Sequence, residues 1–225
     1  MDGVATVHVV DDSEPARRAL SRLLQSAGYR VKEYASAEAL LAQPPEGDAP
    51  CVVLADLVLP GLDGLGLAAQ LSATAAAPPV VFLTACGGVP SSVRATKQGA
   101  IDFLEKPVRA PVLLEALERA VARSRYGILE RRQLANLRSH YAALTPRERE
   151  VFALVVSGLL NKQVAAQLGV TEKTVKVHRS RVVAKMEALS LRDLVRMAER
   201  LGVGSRQKAG DSELPGSSGS RLPPG

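Results

Sequence analysis

The sequence predicts an α/β fold, a doubly wound five-stranded parallel sheet, followed by a smaller all-α unit. Three observations carry this. Five short apolar runs alternate with amphipathic segments through the first half of the chain. Near residue 143 the strand-like runs stop and only helical periodicity continues. The charge balance also changes sign. Residues 1–122 hold 10 Lys and Arg against 14 Asp and Glu, whereas residues 143–202 hold 11 against 6. An acidic half joined to a basic half points to a metal-binding or regulatory module joined to a nucleic-acid binder.

The strands are expected at 5–10 (ATVHVV), 29–34 (YRVKEY), 51–55 (CVVLA), 80–84 (VVFLT) and 100–105 (AIDFLE). Helices are expected between and after them, at 13–27, 36–42, 64–73, 90–98 and 110–124. Repeated βα units imply a parallel sheet covered on both faces. The third and fourth runs are almost wholly apolar, as central parallel strands should be. Residues 123–142 carry 5 Lys and Arg against 1 Asp or Glu and read as a basic amphipathic helical linker. In the unit at 143–203, Thr145 is placed to cap a helix, with Pro146 at its first position and Glu148 at capping-box spacing. Further helices are expected near 161–168, 172–187 and 190–201. The last 22 residues, 204–225, are rich in Gly, Ser and Pro, a composition that predicts disorder.

No apolar run reaches the roughly 18 residues of a membrane span, and no basic stretch followed by an apolar run marks a signal peptide. A cytoplasmic location without membrane contact is the expectation. The two cysteines, Cys51 and Cys86, are too few for a disulfide framework and lack metal-ligand spacing. Cys51 is expected as a buried strand residue. A bridge to Cys86 is not expected, because the two fall at opposite ends of parallel strands.

In such a sheet, ligands bind outside the carboxyl ends of the strands. Asp11 and Asp12 follow the first strand, Asp56 the third and Lys106 the fifth; Thr84 ends the fourth. Four strands therefore aim polar groups at one edge. Three carboxylates there call for a hard cation, and Mg²⁺ suits oxygen ligands. With a lysine to reach a phosphoryl oxygen and a hydroxyl beside it, these are the parts for phosphoryl transfer to a carboxylate. Asp56 is the best nucleophile because it stands alone after a central strand.

VVDDSE, LADLVLPGLDG, FLTA and DFLEKP, in this order and spacing, resemble the receiver domain of two-component response regulators over about residues 4–122, a flavodoxin-like fold. The resemblance implies that Asp56 accepts phosphate from a sensor histidine kinase. It implies Mg²⁺ held by Asp11, Asp12, Asp56 and the backbone carbonyl of Val58. Thr84 would contact the phosphoryl group, Phe103 would occupy the aromatic switch position, and Lys106 would pair with the phosphate and precede a cis bond to Pro107. A homodimer on phosphorylation is expected. So is further use of the face made by residues 90–124, because PVLLEALERAVARS shows a broad apolar face. The other class considered, an aspartyl-phosphate phosphatase, places its nucleophile and acid in a D-x-D arrangement after the first strand, which DDSEP lacks.

NKQVAAQLGVTEKTVKVHRSRVVAKM reads as helix, tight turn, helix, with Gly169 ending the first helix and Thr171 capping the second. Val175, Val182 and Val183 can face a core, while Lys173, Lys176, Arg179, Ser180 and Lys185 lie mostly on the other side. This is a helix-turn-helix with its second helix in the major groove of double-stranded DNA. On pattern alone, a helical bundle with a solvated basic face is the alternative. The stretch from LTPREREV onward is similar to the LuxR-type DNA-binding domain over about 141–203. The whole chain resembles the NarL/FixJ family of transcriptional regulators, with promoter DNA as target and RNA polymerase as a further expected partner. In that family the positions of Lys176, Val177 and Ser180 face bases. Lys173, Thr174, His178 and Arg179 are expected at phosphates or the groove edge.

Overall fold

The computed structural model describes residues 4–45, 49–74, 76–85 and 100–203. The expected helix at 90–98, Cys86 and the tail 204–225 lie outside them. The chain divides into two compact units, Met1–Arg131 and Arg132–Gly225.

The first unit runs β1 (Thr6–Val10), α1 (Glu14–Ser26), β2 (Arg30–Tyr34), α2 (Ala37–Leu41), β3 (Cys51–Asp56), α3 (Gly64–Ser72), β4 (Val80–Thr84) and β5 (Ala100–Glu105), then enters α4 (Ala110–Ala142). The strands form one sheet in the order β2-β1-β3-β4-β5, all pairs parallel. This is the doubly wound order whose switch point lies between β1 and β3.

The apolar run of β3 serves two cores at once. Val52 and Leu54 join Val7, Val9, Leu24, Leu113 and Leu117 on one face. Val53 and Ala55 join Leu40, Leu67, Leu71 and Phe82 on the other. A strand sandwiched in this way has no solvent face, so its sequence does not alternate with polar residues. Cys51 is a buried thiol at the start of β3, as expected.

Helix α4 departs from the sequence reading. It continues without interruption through 123–142, so the linker is helical as expected but is one helix with the segment expected at 110–124. Arg and Leu are the commonest residues of that stretch and are good helix formers, and no proline stops the helix. Most of the apolar face of its first turns packs within the unit. Leu113, Ala116, Leu117, Ala120 and Val121 are all buried in the sheet core. Val112, on the same turns, stays 39 % exposed.

The second unit contains the end of α4, then α5 (Pro146–Val156), α6 (Asn161–Leu168), α7 (Glu172–Met186) and α8 (Leu191–Leu201). Thr145 and Glu148 close the expected capping box. The Thr145 hydroxyl accepts from the Glu148 N–H at 3.3 Å, and the Glu148 carboxylate accepts from the Thr145 N–H at 2.9 Å. Gly169 ends α6 in the left-handed region at φ 64°, where glycine carries no Cβ penalty. The Thr171 hydroxyl caps α7 by accepting from Thr174 N–H at 3.2 Å. Val175 and Val182 are buried in two adjoining cores.

Candidate phosphoacceptor site and nucleic-acid interface

Strand register creates the first site. Val10 pairs with Ala55 and Asp56 with Leu83, while Thr84 pairs with Glu105. Asp11 therefore comes level with Asp56, and Lys106 follows two residues beyond that level, at the carboxyl edge. Asp11, Asp12 and Asp56 each bring a carboxylate oxygen within 4.8 Å of the others. Asp11 and Asp56 are buried and Asp12 is exposed.

Three carboxylates this close repel strongly in a medium poorer than water at screening charge. Lys106 offsets much of this. Its Nζ donates to Asp11 Oδ2 at 2.7 Å and to Asp56 Oδ2 at 2.6 Å. Burial alone pushes the Lys106 amine down, but its bonds to Asp11 and Asp56 and their charges outweigh it and leave the amine above its ordinary value. The remaining Asp11 oxygen accepts from Ser13 N–H at 2.9 Å, and Asp56 Oδ1 accepts from Val58 N–H at 3.1 Å. An all-oxygen cluster with excess negative charge suits a hard divalent cation.

The other expected residues surround this edge. Thr84 is buried at the end of β4. The Lys106–Pro107 bond is cis. Phe103 is half-buried and stacks on Phe82 with centroids 5.0 Å apart. Val58 sits in the exposed β3–α3 loop. Gly64 closes that loop, because a Cβ there would lie 2.6 Å from the Asp56 carbonyl oxygen.

Sequence reading missed Arg17. It reaches from α1 to donate to the Asp11 carbonyl at 2.6 Å and lies 3.5 Å from the Glu33 carboxylate. It also missed Glu38, which accepts from Leu62 N–H at 2.9 Å. Arg17 follows Asp11 closely in sequence, but no periodicity or motif marks either contact.

The second site is the face of α7. Lys173, Lys176, Val177 and Ser180 are exposed, whereas Thr174, His178 and Arg179 are half-buried. The Thr174 hydroxyl lies 2.9 Å from that of Thr171. Arg179 Nη1 donates to Asn161 Oδ1 at 3.1 Å, tying α7 to the start of α6.

Lys185 corrects the sequence reading. It was expected on the outer basic side, but its Nζ donates to Glu148 Oε2 at 2.7 Å and to the Ala143 carbonyl at 3.1 Å. The reason is the capping-box carboxylate. Glu148 is only 2 % exposed and needs a cation to remain charged there. The Lys185 hydrogen bond first, then the Thr145 N–H, hold its carboxyl down at about 2.

Among the described residues, no helix is long and apolar enough to cross a membrane.

Comparison with known proteins covers both units. The profile of the response regulator receiver domain matches residues 7–118, and that of the LuxR family of bacterial regulatory proteins matches residues 142–198. Nodulation protein W of Bradyrhizobium diazoefficiens is 44% identical over 201 residues, covering 89% of this chain and 88% of that one. Transcriptional regulatory protein FixJ of Rhizobium meliloti is 41% identical over 199 residues, covering 88% and 97%. The solved structure of the response regulator StyR superposes with a TM-score of 0.73 at 38% identity, covering 88% of this chain and 100% of that one. Two profiles in this order and relatives that match along nearly their whole length leave one assignment: the chain belongs to the FixJ-type response regulators, transcriptional regulators rather than enzymes, which join a receiver domain to a LuxR-type DNA-binding domain.

Proposed function

We propose that a sensor histidine kinase passes a phosphoryl group to Asp56, and that this favours a homodimer that binds promoter DNA. The observation that carries the reading is the convergence of Asp11, Asp12, Asp56 and Lys106 at one sheet edge, in a chain that also carries an exposed basic helix-turn-helix face.

A carboxylate oxygen of Asp56 attacks phosphorus, and a P–O bond forms as the P–N bond to the kinase histidine breaks. Asp11, Asp12, Asp56 and the Val58 carbonyl are the groups that would hold Mg²⁺, which when bound neutralises charge on the phosphoryl oxygens. Lys106 already sits 2.6 Å from an Asp56 oxygen, so a small movement brings its ammonium to a phosphoryl oxygen. The Thr84 hydroxyl turns toward the same group, and Phe103 shifts into the space that Thr84 leaves. Homodimer formation rests on the family, and Val112 of α4 is an apolar side chain left exposed beside the buried ones.

On DNA, Lys176, Val177 and Ser180 read bases, with the exposed Val177 suited to a thymine methyl. Lys173, Thr174, His178 and Arg179 meet phosphates or the groove edge. RNA polymerase is a further partner in this reading. By function the chain divides into a receiver at 1–122, a basic helical connection at 123–142 and a DNA-binding domain at 143–203.

Labelling by acetyl phosphate with Mg²⁺ tests the assignment. The wild-type chain is expected to take label and Asp56→Asn to take none. Label that persists in Asp56→Asn but disappears in Asp11→Asn would sink the choice of Asp56.

A further inference from the structure

The β3–α3 loop carries Val58, and something must hold it against the sheet edge. Its backbone donors show how. Leu57 N–H donates to the Leu83 carbonyl at 2.8 Å, and Gly64 N–H to the Leu57 carbonyl at 3.1 Å. These fix the two ends. The middle is held from another element. Leu62 N–H donates to Glu38 Oε1 at 2.9 Å, a contact across 24 residues that comes from α2.

A second observation agrees. Gly61 has φ 79°, and a Cβ built there would lie 2.7 Å from the same Glu38 oxygen. The loop therefore bends in the left-handed region close against the carboxylate, and a side chain at 61 would push the Glu38 carboxylate aside. Beside it, Leu59 is 6 % exposed and anchors the loop in the core. Glu38 itself is exposed and carries its carboxylate on a helix whose N-terminus is capped by the Ser36 hydroxyl, which accepts from Ala39 N–H at 3.2 Å.

We infer that Glu38 is a positioning residue for the phosphoacceptor site, holding the β3–α3 loop so that the Val58 carbonyl stays aimed at the cation position beside Asp56. The inference rests on the phosphoacceptor reading above. Glu38 touches no reacting atom. It acts through a hydrogen bond that needs an acceptor oxygen and does not need a charge. That separates two substitutions. Glu38→Gln keeps an acceptor at the same reach, and Glu38→Ala removes it.

The probe is Mn²⁺ titrated onto the full chain, with the free ion followed by electron paramagnetic resonance. Glu38→Ala is expected to bind Mn²⁺ about fivefold more weakly, the size of one exposed hydrogen bond read through a loop. Glu38→Gln is expected to stay within about twofold of wild type, a range too small to count as a lost bond. Acetyl phosphate labelling should show the same split. In Glu38→Ala the Mg²⁺ concentration for half-maximal rate rises, and the rate at saturating Mg²⁺ returns to the wild-type value. Glu38→Ala binding Mn²⁺ like wild type overturns the inference. So does Glu38→Gln binding as weakly as Glu38→Ala, which would make the effect one of charge. A wild-type chain that takes up no Mn²⁺ overturns the phosphoacceptor reading along with it, and is told apart because it needs no substitution.

Discussion

At the carboxyl edge of the receiver sheet, charges converge; on the recognition helix, they spread. Asp11 and Asp56 are buried and share one ammonium at 2.7 and 2.6 Å. Lys173 and Lys176 stand exposed along α7. The difference follows from what surrounds each charge. A buried carboxylate has lost its water and depends on each partner, so one substitution there has a large effect. An exposed cation keeps its water until DNA arrives, and each contact contributes a modest, salt-dependent share. Chemistry at a single atom calls for the first arrangement, and recognition along a groove calls for the second.

Lys185 sharpens this comparison, because it lies on the recognition helix yet is built like the sheet edge. Replacing it with Met strands the buried Glu148 carboxylate. Lys185→Met is expected to destabilise the DNA-binding unit by about 2 kcal/mol, toward the low end for a broken buried pair because Lys185 keeps part of its side chain in water. Urea denaturation measures it. The pH dependence has a definite sign. The carboxyl of Glu148 is lowered from 4.5 to about 2 in the fold, so its contribution is fully present above about 4.5 and is lost as pH falls toward about 2. Lys185→Met should flatten that acid limb. A variant as stable as wild type across this range would break the distinction between buried and exposed cations on α7.

On the open face the expected effects fall on DNA binding and not on folding. Lys176→Ala should cost roughly 1–3 kcal/mol on the preferred DNA and flatten preference between it and a mutated site. Arg179→Ala should weaken both DNAs alike and reduce the salt slope by about one. Titrations at several salt concentrations on both DNAs separate the two. Equal losses on both DNAs for Lys176→Ala would make it a backbone contact.

Most of the fold was legible because its signals are local. The run CVVLAD has no polar face to show, and it is the strand buried on both sides. Thr145, Pro146 and Glu148 announce a helix start within four residues. The site residues were legible because a parallel sheet brings the ends of all its strands to one edge. What stayed hidden was partnership at a distance. Helical spacing puts Lys185 on the outer side and gives no sign of the Glu148 that waits for it on α5. The bond from Leu62 to Glu38 and the reach of Arg17 to the Asp11 carbonyl depend on how elements pack, which no local pattern encodes. The continuity of α4 was half visible, since its residues favour helix but the change in charge at 123 had suggested a boundary.

If phosphate at Asp56 controls DNA binding, as proposed, one measurement shows it directly. A double-stranded operator, selected from a random library by the acetyl-phosphate-treated chain, is titrated with wild type and Asp56→Asn, each with and without acetyl phosphate and Mg²⁺. Treatment is expected to tighten wild-type binding by about tenfold, within the usual range of coupling between two sites, and to leave Asp56→Asn unchanged. Wild-type affinity that does not respond to treatment, or an equal gain in Asp56→Asn, would contradict the account.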